Sequence, residues 1–307
     1  MPLTNKNFAD LITFTRTGDT ATRVNSLGQI ESVAADTPRF DYDPVALEAK
    51  GLLIEGARTN LLLNSTIDGA SLSTQSVSVS ATAHTLSFYG SGTVTLSGAH
   101  SAVLAGAGDY PSRATLTFTP SAGSLTVTVS GDVEFAQLEE GAFATSFIPT
   151  AAATATRATD NASITGTAFS DWYNASEGTV YVEGSSAFVG DSGLFALESN
   201  SSNQMSAQFT SGGSFEVIRL GVTQAQITGA SPTAGVVSKF ACAFKQNDVC
   251  AAMDGVAGTT DTSVLIPTVD TLQIGNRLGG GYLNGHIKDI RFYPTRLSNA
   301  ELQELTA

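Results

Sequence analysis

The chain has 307 residues, of which 42% are hydrophobic and 14% charged. It can bury a large core without disulfide or metal staples, and its charged fraction is well below the ~25% usual in soluble proteins. Fifteen Lys plus Arg against 28 Asp plus Glu give a net charge of −13, which argues against nucleic acid or an anionic membrane surface as a partner, since both call for a basic footprint. Neutral glycans and protein partners remain open. Residues 1–20 are polar, with Lys6, Asp10 and Arg16, and lack the apolar stretch of a signal peptide. No run approaches the 18 apolar residues of a membrane span. Two cysteines do not make a disulfide framework. The expectation is a β-rich protein folded in a cytoplasm, with no cofactor and no metal.

Residues 8–60 alternate short apolar pieces with Gly, Asp, Asn and Pro, which predicts short strands and turns. The one helix-like patch is Pro44 to Lys50, and Asp43 before Pro44 reads as a turn initiator. Residues 70–140 show period-2 alternation, at its clearest where Leu125, Val127 and Val129 share a face of Ser124 to Ser130; a half-buried antiparallel strand produces that pattern and a helix does not. Residues 149–168 are small and Thr/Ala-rich and read as an extended connector. Residues 169–294 form a second β-rich block, with strands marked by pairs such as Val180 and Val182, Phe195 and Leu197, and Phe240 and Phe244, and a turn at Asp254-Gly255. Ser298 followed by Glu301 is a capping box, predicting a short helix to about Leu305.

Two segments resemble known proteins. Ala21-Thr22-Arg23-Val24, Gly28-Gln29-Ile30-Glu31, Pro38-Arg39-Phe40-Asp41-Tyr42-Asp43, Gly51-Leu52-Leu53-Ile54-Glu55 and Arg58-Thr59-Asn60-Leu61-Leu62 resemble a segment of tailed-phage and prophage structural proteins. The stretch Gln137 to Thr150, with Thr156-Arg157-Ala158, looks like the end of the carbohydrate-binding-like jelly roll in those proteins. Residues Gly279 to Tyr293, followed by Arg296 to Leu302, with the earlier Met253-Asp254-Gly255-Val256, resemble the end of a bacterial laminin-G-like, concanavalin-A-like domain. The resemblance implies a component of a virion or phage-like particle, gene transfer agents included: a head spike, head fibre or tail fibre that meets host surface glycans.

The expected fold is all-β: two antiparallel β-sandwich (jelly-roll) domains, an extended N-terminal segment and a short C-terminal helix. The boundaries are 1–60 for an N-terminal attachment segment, 61–150 for the jelly roll, 151–168 for the linker and 169–307 for the laminin-G-like sandwich. Trp172 and Tyr173 are candidate sugar contacts because aromatic faces stack on sugar rings, though a lone Trp is more often a packing anchor. By analogy with the rim loops of laminin-G-like sandwiches, Asp191, Asn276, Arg277 and Tyr282 are further ligand-binding candidates.

No catalytic residue is assigned. Gly190-Asp191-Ser192-Gly193 echoes a serine-protease nucleophile loop, but the His base it needs has no obvious source among His84, His100 and His286. Glu139 and Glu140 alternate across a strand, so they cannot flank one sugar bond. Gly279-Gly280-Gly281 lacks the strand-to-helix context of a phosphate loop. Cys242 and Cys250 straddle a turn at 245–248. A symmetric hairpin puts their sulfurs on opposite faces and a bulge would bring them together, with two buried thiols the expected state. The leading function is a non-enzymatic oligomeric adhesin for host surface polysaccharide, with itself and other particle proteins as further partners and the particle surface as its location. A purely structural decoration protein and a polysaccharide-degrading enzyme are the alternatives.

Overall fold

The computed structural model describes residues 8–277 and 281–307, and it is built almost wholly of antiparallel strands. Its internal contacts divide it into two units, one of Met1–Thr15, Lys50–Gly56 and Asp160–Ala307, the other of Arg16–Ala49 and Ala57–Thr159. Among the described residues no helix is long and apolar enough to cross a membrane.

The first unit is a sandwich. One sheet runs Thr13–Thr15, Asn161–Thr165, Thr271–Ile274, Gly193–Asn200, Asn203–Gln208, Ser214–Arg219, Val222–Thr228. The other contains Val256–Ala257, Cys250–Met253, Ser238–Lys245, Glu177–Ser186, Gly285–Tyr293 and Ala49–Ile54. Alternation decides which side chains meet between them. Val180, Val182, Phe240, Cys242 and Phe244 point into a core shared with Phe195, Leu197, Met205, Phe215 and Val217. Tyr181, Ala241, Ala243, Cys250 and Ala252 point the other way, and the small alanines and cysteine among them make room for Leu302 of the terminal helix Asn299–Thr306. That helix starts with the expected capping box: Ser298 accepts from the Glu301 N–H, and the Glu301 carboxylate accepts from the Ser298 N–H at 2.7 Å. Asp254 and Gly255, with φ of 46° and 78°, make the expected two-residue turn.

The hairpin Ser238–Lys245 to Cys250–Met253 is symmetric, with Cys242 opposite Ala251 and Ala243 opposite Cys250. The two sulfurs therefore lie on opposite faces of the sheet and both cysteines are free thiols. Burial pushes the Cys242 thiol well up.

The second unit stacks a four-stranded sheet (Ala102–Ala105, Thr93–Gly98, Gly123–Ser130, Gln75–Val79) on a three-stranded one (Ala114–Phe118, His84–Tyr89, Glu134–Glu140). Leu125 and Val127 meet Leu86, Phe88 and Leu138 in its apolar core. It also has a polar core, made by the residues that carry the phage-protein resemblance. Asn60 donates to the carbonyls of Ala136 (3.1 Å) and Ile148 (2.9 Å) and accepts from the N–H groups of Leu62 and Leu138. Fully buried Glu139 accepts from Gln137 Nε2 at 2.7 Å, from the Thr145 N–H at 2.8 Å and from the Thr145 hydroxyl at 2.7 Å. Arg39 and Arg157, both 0% exposed, reach the Ser146 hydroxyl at 2.7 and 3.1 Å. A buried polar group left without a partner costs about 1–3 kcal/mol, so these residue types sit together because each satisfies the others.

Three expectations are corrected. The N-terminal stretch to residue 60 is not one separate piece: Thr13–Thr15 and Ala49–Ile54 complete sheets of the first unit, while Ala21–Val24 and Ile30–Val33 pair as a hairpin of the second. Residues 151–168 are not an extended linker. Ala155–Arg157 pairs with Arg58–Asn60, Asn161–Thr165 is a central strand, and the short helix Gly166–Ser170 follows; small side chains hide a strand's alternation, yet Arg157, Ala162 and Ile164 are buried. Pro44 to Lys50 is a turn leading into a strand. Asp43 accepts from the N–H groups of Val45 (2.9 Å) and Ala46 (2.8 Å), and Leu47 at φ 58° stops any helix there.

Candidate functional site

The six residues singled out in the sequence fall into two groups. Asp191 and Arg277 meet at one rim of the first unit: Arg277 Nε and Nη2 donate to Asp191 Oδ1 at 3.0 and 2.7 Å. Asn276 is buried beside them, its carbonyl group packed against Gly193, which donates its N–H to the Gly281 carbonyl at 2.7 Å. The Tyr282 ring lies over Gly56, and its carbonyl accepts from Asn284 at 3.0 Å. Gly279 and Gly280 lie outside the described residues. Trp172 and Tyr173 follow the short helix and pack as rings. Trp172 is edge-on to Phe169 and Phe292 at 5.0 and 4.7 Å, and Tyr173 stacks on Phe169 at 4.7 Å. Among the described residues, no hydrogen bond or ring contact links these two to the rim group.

The structure also assembles an aromatic patch in the second unit that the sequence reading passed over. Tyr89 ends the strand His84–Tyr89, and Tyr110 follows Gly108-Asp109. Phe135 stands where the pairing of Glu134–Glu140 shifts register, with φ 45°, a conformation a bulky residue rarely adopts. The backbone crossing beneath needs glycine. A Cβ on Gly90 would stand 2.4 Å from the Asp132 carbonyl oxygen, and one on Gly106 would stand 2.0 Å from that of Gly90. With those side chains absent, Gly90 N–H donates to the Gly108 carbonyl at 2.8 Å and Gly92 N–H to the Asp132 carbonyl at 2.7 Å, which draws three loops together.

Tyr89 lies edge-on to Tyr110 at 5.1 Å and to Phe135 at 6.0 Å, with Phe147 supporting Phe135 from 5.4 Å. The first three rings are half-buried, so each keeps part of its surface in solvent. Exposed Asp109 and Asp132 and half-buried Glu134 surround them. Among the described residues, no cation forms an ion pair with these three carboxylates. Burial and the charges of Asp132 and Asp109 raise the Glu134 carboxyl above its ordinary range. Burial, with the charges of Tyr89, Asp41 and Asp43, pushes the Tyr110 phenol up to about 12.

Such a patch offers ring surface for sugar C–H groups and carboxylate oxygens for sugar hydroxyls. The arrangement contains no nucleophile and base in contact. Ser192 of the protease-like tetrapeptide is fully buried, and its hydroxyl lies 3.4 Å from that of Ser186. Glu139 is buried and Glu140 exposed, as alternation requires. Among the described residues, no group of three or more His, Cys, Asp or Glu is placed to hold a metal ion. The sequence did carry a signal for the patch, in Tyr89-Gly90-Ser91-Gly92 and Gly106-Ala107-Gly108-Asp109-Tyr110-Pro111: spaced glycines beside tyrosines mark loops that cross closely and leave rings at the surface.

No protein-family model and no curated protein matches the chain. Among solved structures it is similar to a K499G mutant of NanB sialidase from Streptococcus pneumoniae (20% identity, TM-score 0.37), over 46% of this chain and 26% of that one. It is similar to the CBM40 module of a Ruminococcus gnavus IT-sialidase bound to α2,3-sialyllactose (15% identity, TM-score 0.37), over 44% and 84%. It is also similar to domains LG4-5 of the mouse laminin α1 chain (10% identity, TM-score 0.33), over 81% and 91%. The match to the NanB chain spans about a quarter of that protein's length. These likenesses are slight, and the sandwich architecture stands on the strand register.

Proposed function

We propose that the chain is a non-enzymatic, glycan-binding structural protein of a tailed phage or phage-like particle, acting as a homo-oligomer on the particle surface. The observation that carries the glycan reading is the patch of Tyr89, Tyr110 and Phe135 with Asp109, Asp132 and Glu134 at its rim. Its ligand is a neutral or amino-sugar polymer: carboxylates without cationic partners accept hydroxyl and ammonium groups and repel carboxylate or phosphate. The Asp191–Arg277 pair, with one acceptor and one donor side by side at the rim of the first unit, is a second polar contact for the same ligand class. The particle assignment rests on the resemblance carried by residues 14–63 and 137–158. Weak sites repeated on an oligomer, and again on a particle, raise avidity without tight single-site binding.

The test measures binding of the purified chain to host cells with and without their surface polysaccharide, and checks the polysaccharide for shortening. Polysaccharide-dependent binding without shortening is the expected result. Shortening would make the chain an enzyme, and absence of binding by folded, assembled protein would leave a purely structural role.

A further inference from the structure

In the aromatic patch of the second unit, ring surface and carboxylate meet at one glycine. A Cβ on Gly69 would stand 3.2 Å from Phe135 Cε2 and 3.5 Å from Glu134 Oε2, so the Glu134 carboxylate lies beside the edge of the Phe135 ring. Tyr110 is tilted at 49° to that ring, with centroids 6.3 Å apart. Asp109 and Asp132 are exposed on two neighbouring loops. Burial, the charges of Asp132 and Asp109 and a hydrogen bond to Asp132 all hold the Glu134 proton more tightly than usual, so the three carboxyl groups feel one another. Arg113 lies over the Tyr89 ring at 5.9 Å, but its guanidinium donates to the Ser87 hydroxyl and the Thr145 carbonyl, each at 2.7 Å. A hard metal cation such as calcium takes about six or more oxygens, and among the described residues no group of three His, Cys, Asp or Glu is placed to hold one.

We infer that the patch of Tyr89, Tyr110 and Phe135 with Asp109, Asp132 and Glu134 selects sugars that carry a free ammonium group over their N-acetylated counterparts. The inference rests on the glycan reading and narrows it from two ligand classes to one. Clustered carboxylates repel one another, and a ligand hydroxyl leaves that repulsion in place. A ligand ammonium relieves it, forms charge-assisted hydrogen bonds to the carboxylate oxygens, and is attracted to the ring faces beside them. N-acetylation removes the charge on which all three effects depend.

The probes are the chitosan trimer and the chitin trimer, which share a sugar backbone and differ in N-acetylation. Each is titrated by calorimetry into the whole chain, in buffer acidic enough to keep the sugar amines protonated. The chitosan trimer is expected to bind about ten-fold more tightly, the yield of a charge-assisted contact with ring support, and the preference should shrink as salt is raised. Asp132→Asn/Glu134→Gln keeps the side-chain shapes, removes two charges and should collapse the preference. Asp109→Asn, on a separate loop, gives the same readout in smaller measure if the first variant fails to fold. Trilysine, which brings ammonium groups without sugar rings, should bind more weakly than the chitosan trimer. Equal binding of the two trimers would overturn the ammonium inference and leave the glycan reading standing. Trilysine binding as tightly as the chitosan trimer would overturn it by reducing it to net charge, and a preference that persists in folded carboxylate variants would overturn it by moving the site elsewhere. Binding of neither trimer would also overturn it, and the glycan reading would then stand or fall on the host polysaccharide.

Discussion

The two units solve the same problem with different chemistry. In the unit ending at residue 307, two sheets close on an apolar core, and even the outer face beneath the terminal helix presents Tyr181, Cys250 and three alanines to Leu302. In the unit of residues 16–49 and 57–159, the apolar core is smaller and a layer of buried Arg, Glu, Gln and Asn ties strand ends to loops. A hydrophobic core is tolerant, since many apolar sets of the right volume fill it. A polar core fixes one arrangement, because each donor must meet its own acceptor. The residues that carry the phage-protein resemblance in the second unit are architectural: they build its polar core.

The contrast predicts measurable differences. Glu139→Ala, which leaves Gln137, Thr145 and Arg58 facing an absent carboxylate, should destabilise by about 3–5 kcal/mol in chemical denaturation. Glu139→Gln, which keeps an acceptor, should cost visibly less. Phe195→Ala in the apolar core should also cost about 3–5 kcal/mol, but there Phe195→Leu recovers most of the loss because volume alone matters. A near-neutral Glu139→Ala would break the distinction.

Ser298→Ala removes the cap of the terminal helix and should cost about 1 kcal/mol in the same assay. Cys242 and Cys250 should resist a thiol reagent in the native protein and both react after unfolding, one being under the core and the other under the helix. A fast-reacting thiol would mean that this sheet opens readily.

The smallest effect concerns Glu134. Its folded carboxyl holds a proton more tightly than the unfolded one, so the folded state loses stability as pH rises from the ordinary carboxylate value through the raised one. Glu134→Gln should therefore raise the melting temperature slightly at pH 7 and leave it unchanged near pH 3. A gain at both values would point to packing instead of charge.

Much of the fold was legible because alternation is a strong signal where one face is buried: Leu125, Val127 and Val129, or Phe240 and Phe244, lie in the strands their spacing predicted. The capping box at Ser298 and the turn at Asp254-Gly255 depend on local chemistry alone and appear as read. How the N-terminal stretch is shared between the two units was not legible. Which sheet Ala49–Ile54 or Thr13–Thr15 joins is a long-range choice, made by partners about 150 and about 230 residues away, at Asn161–Thr165 and Gly285–Tyr293. The aromatic patch was hidden for the same reason. Tyr89, Tyr110 and Phe135 are scattered in sequence, and only the close glycine crossing at Gly90 and Gly106 brings them together.

The most direct test of the glycan reading compares polysaccharide binding by the wild-type chain, the Tyr89→Ala/Tyr110→Ala double variant and Asp191→Ala, each shown to be folded by its melting curve. The account predicts at least a ten-fold loss for the double variant, equivalent to about 1.4 kcal/mol, and a smaller loss for Asp191→Ala. Full binding by a folded double variant would contradict it and take the glycan site away from the aromatic patch.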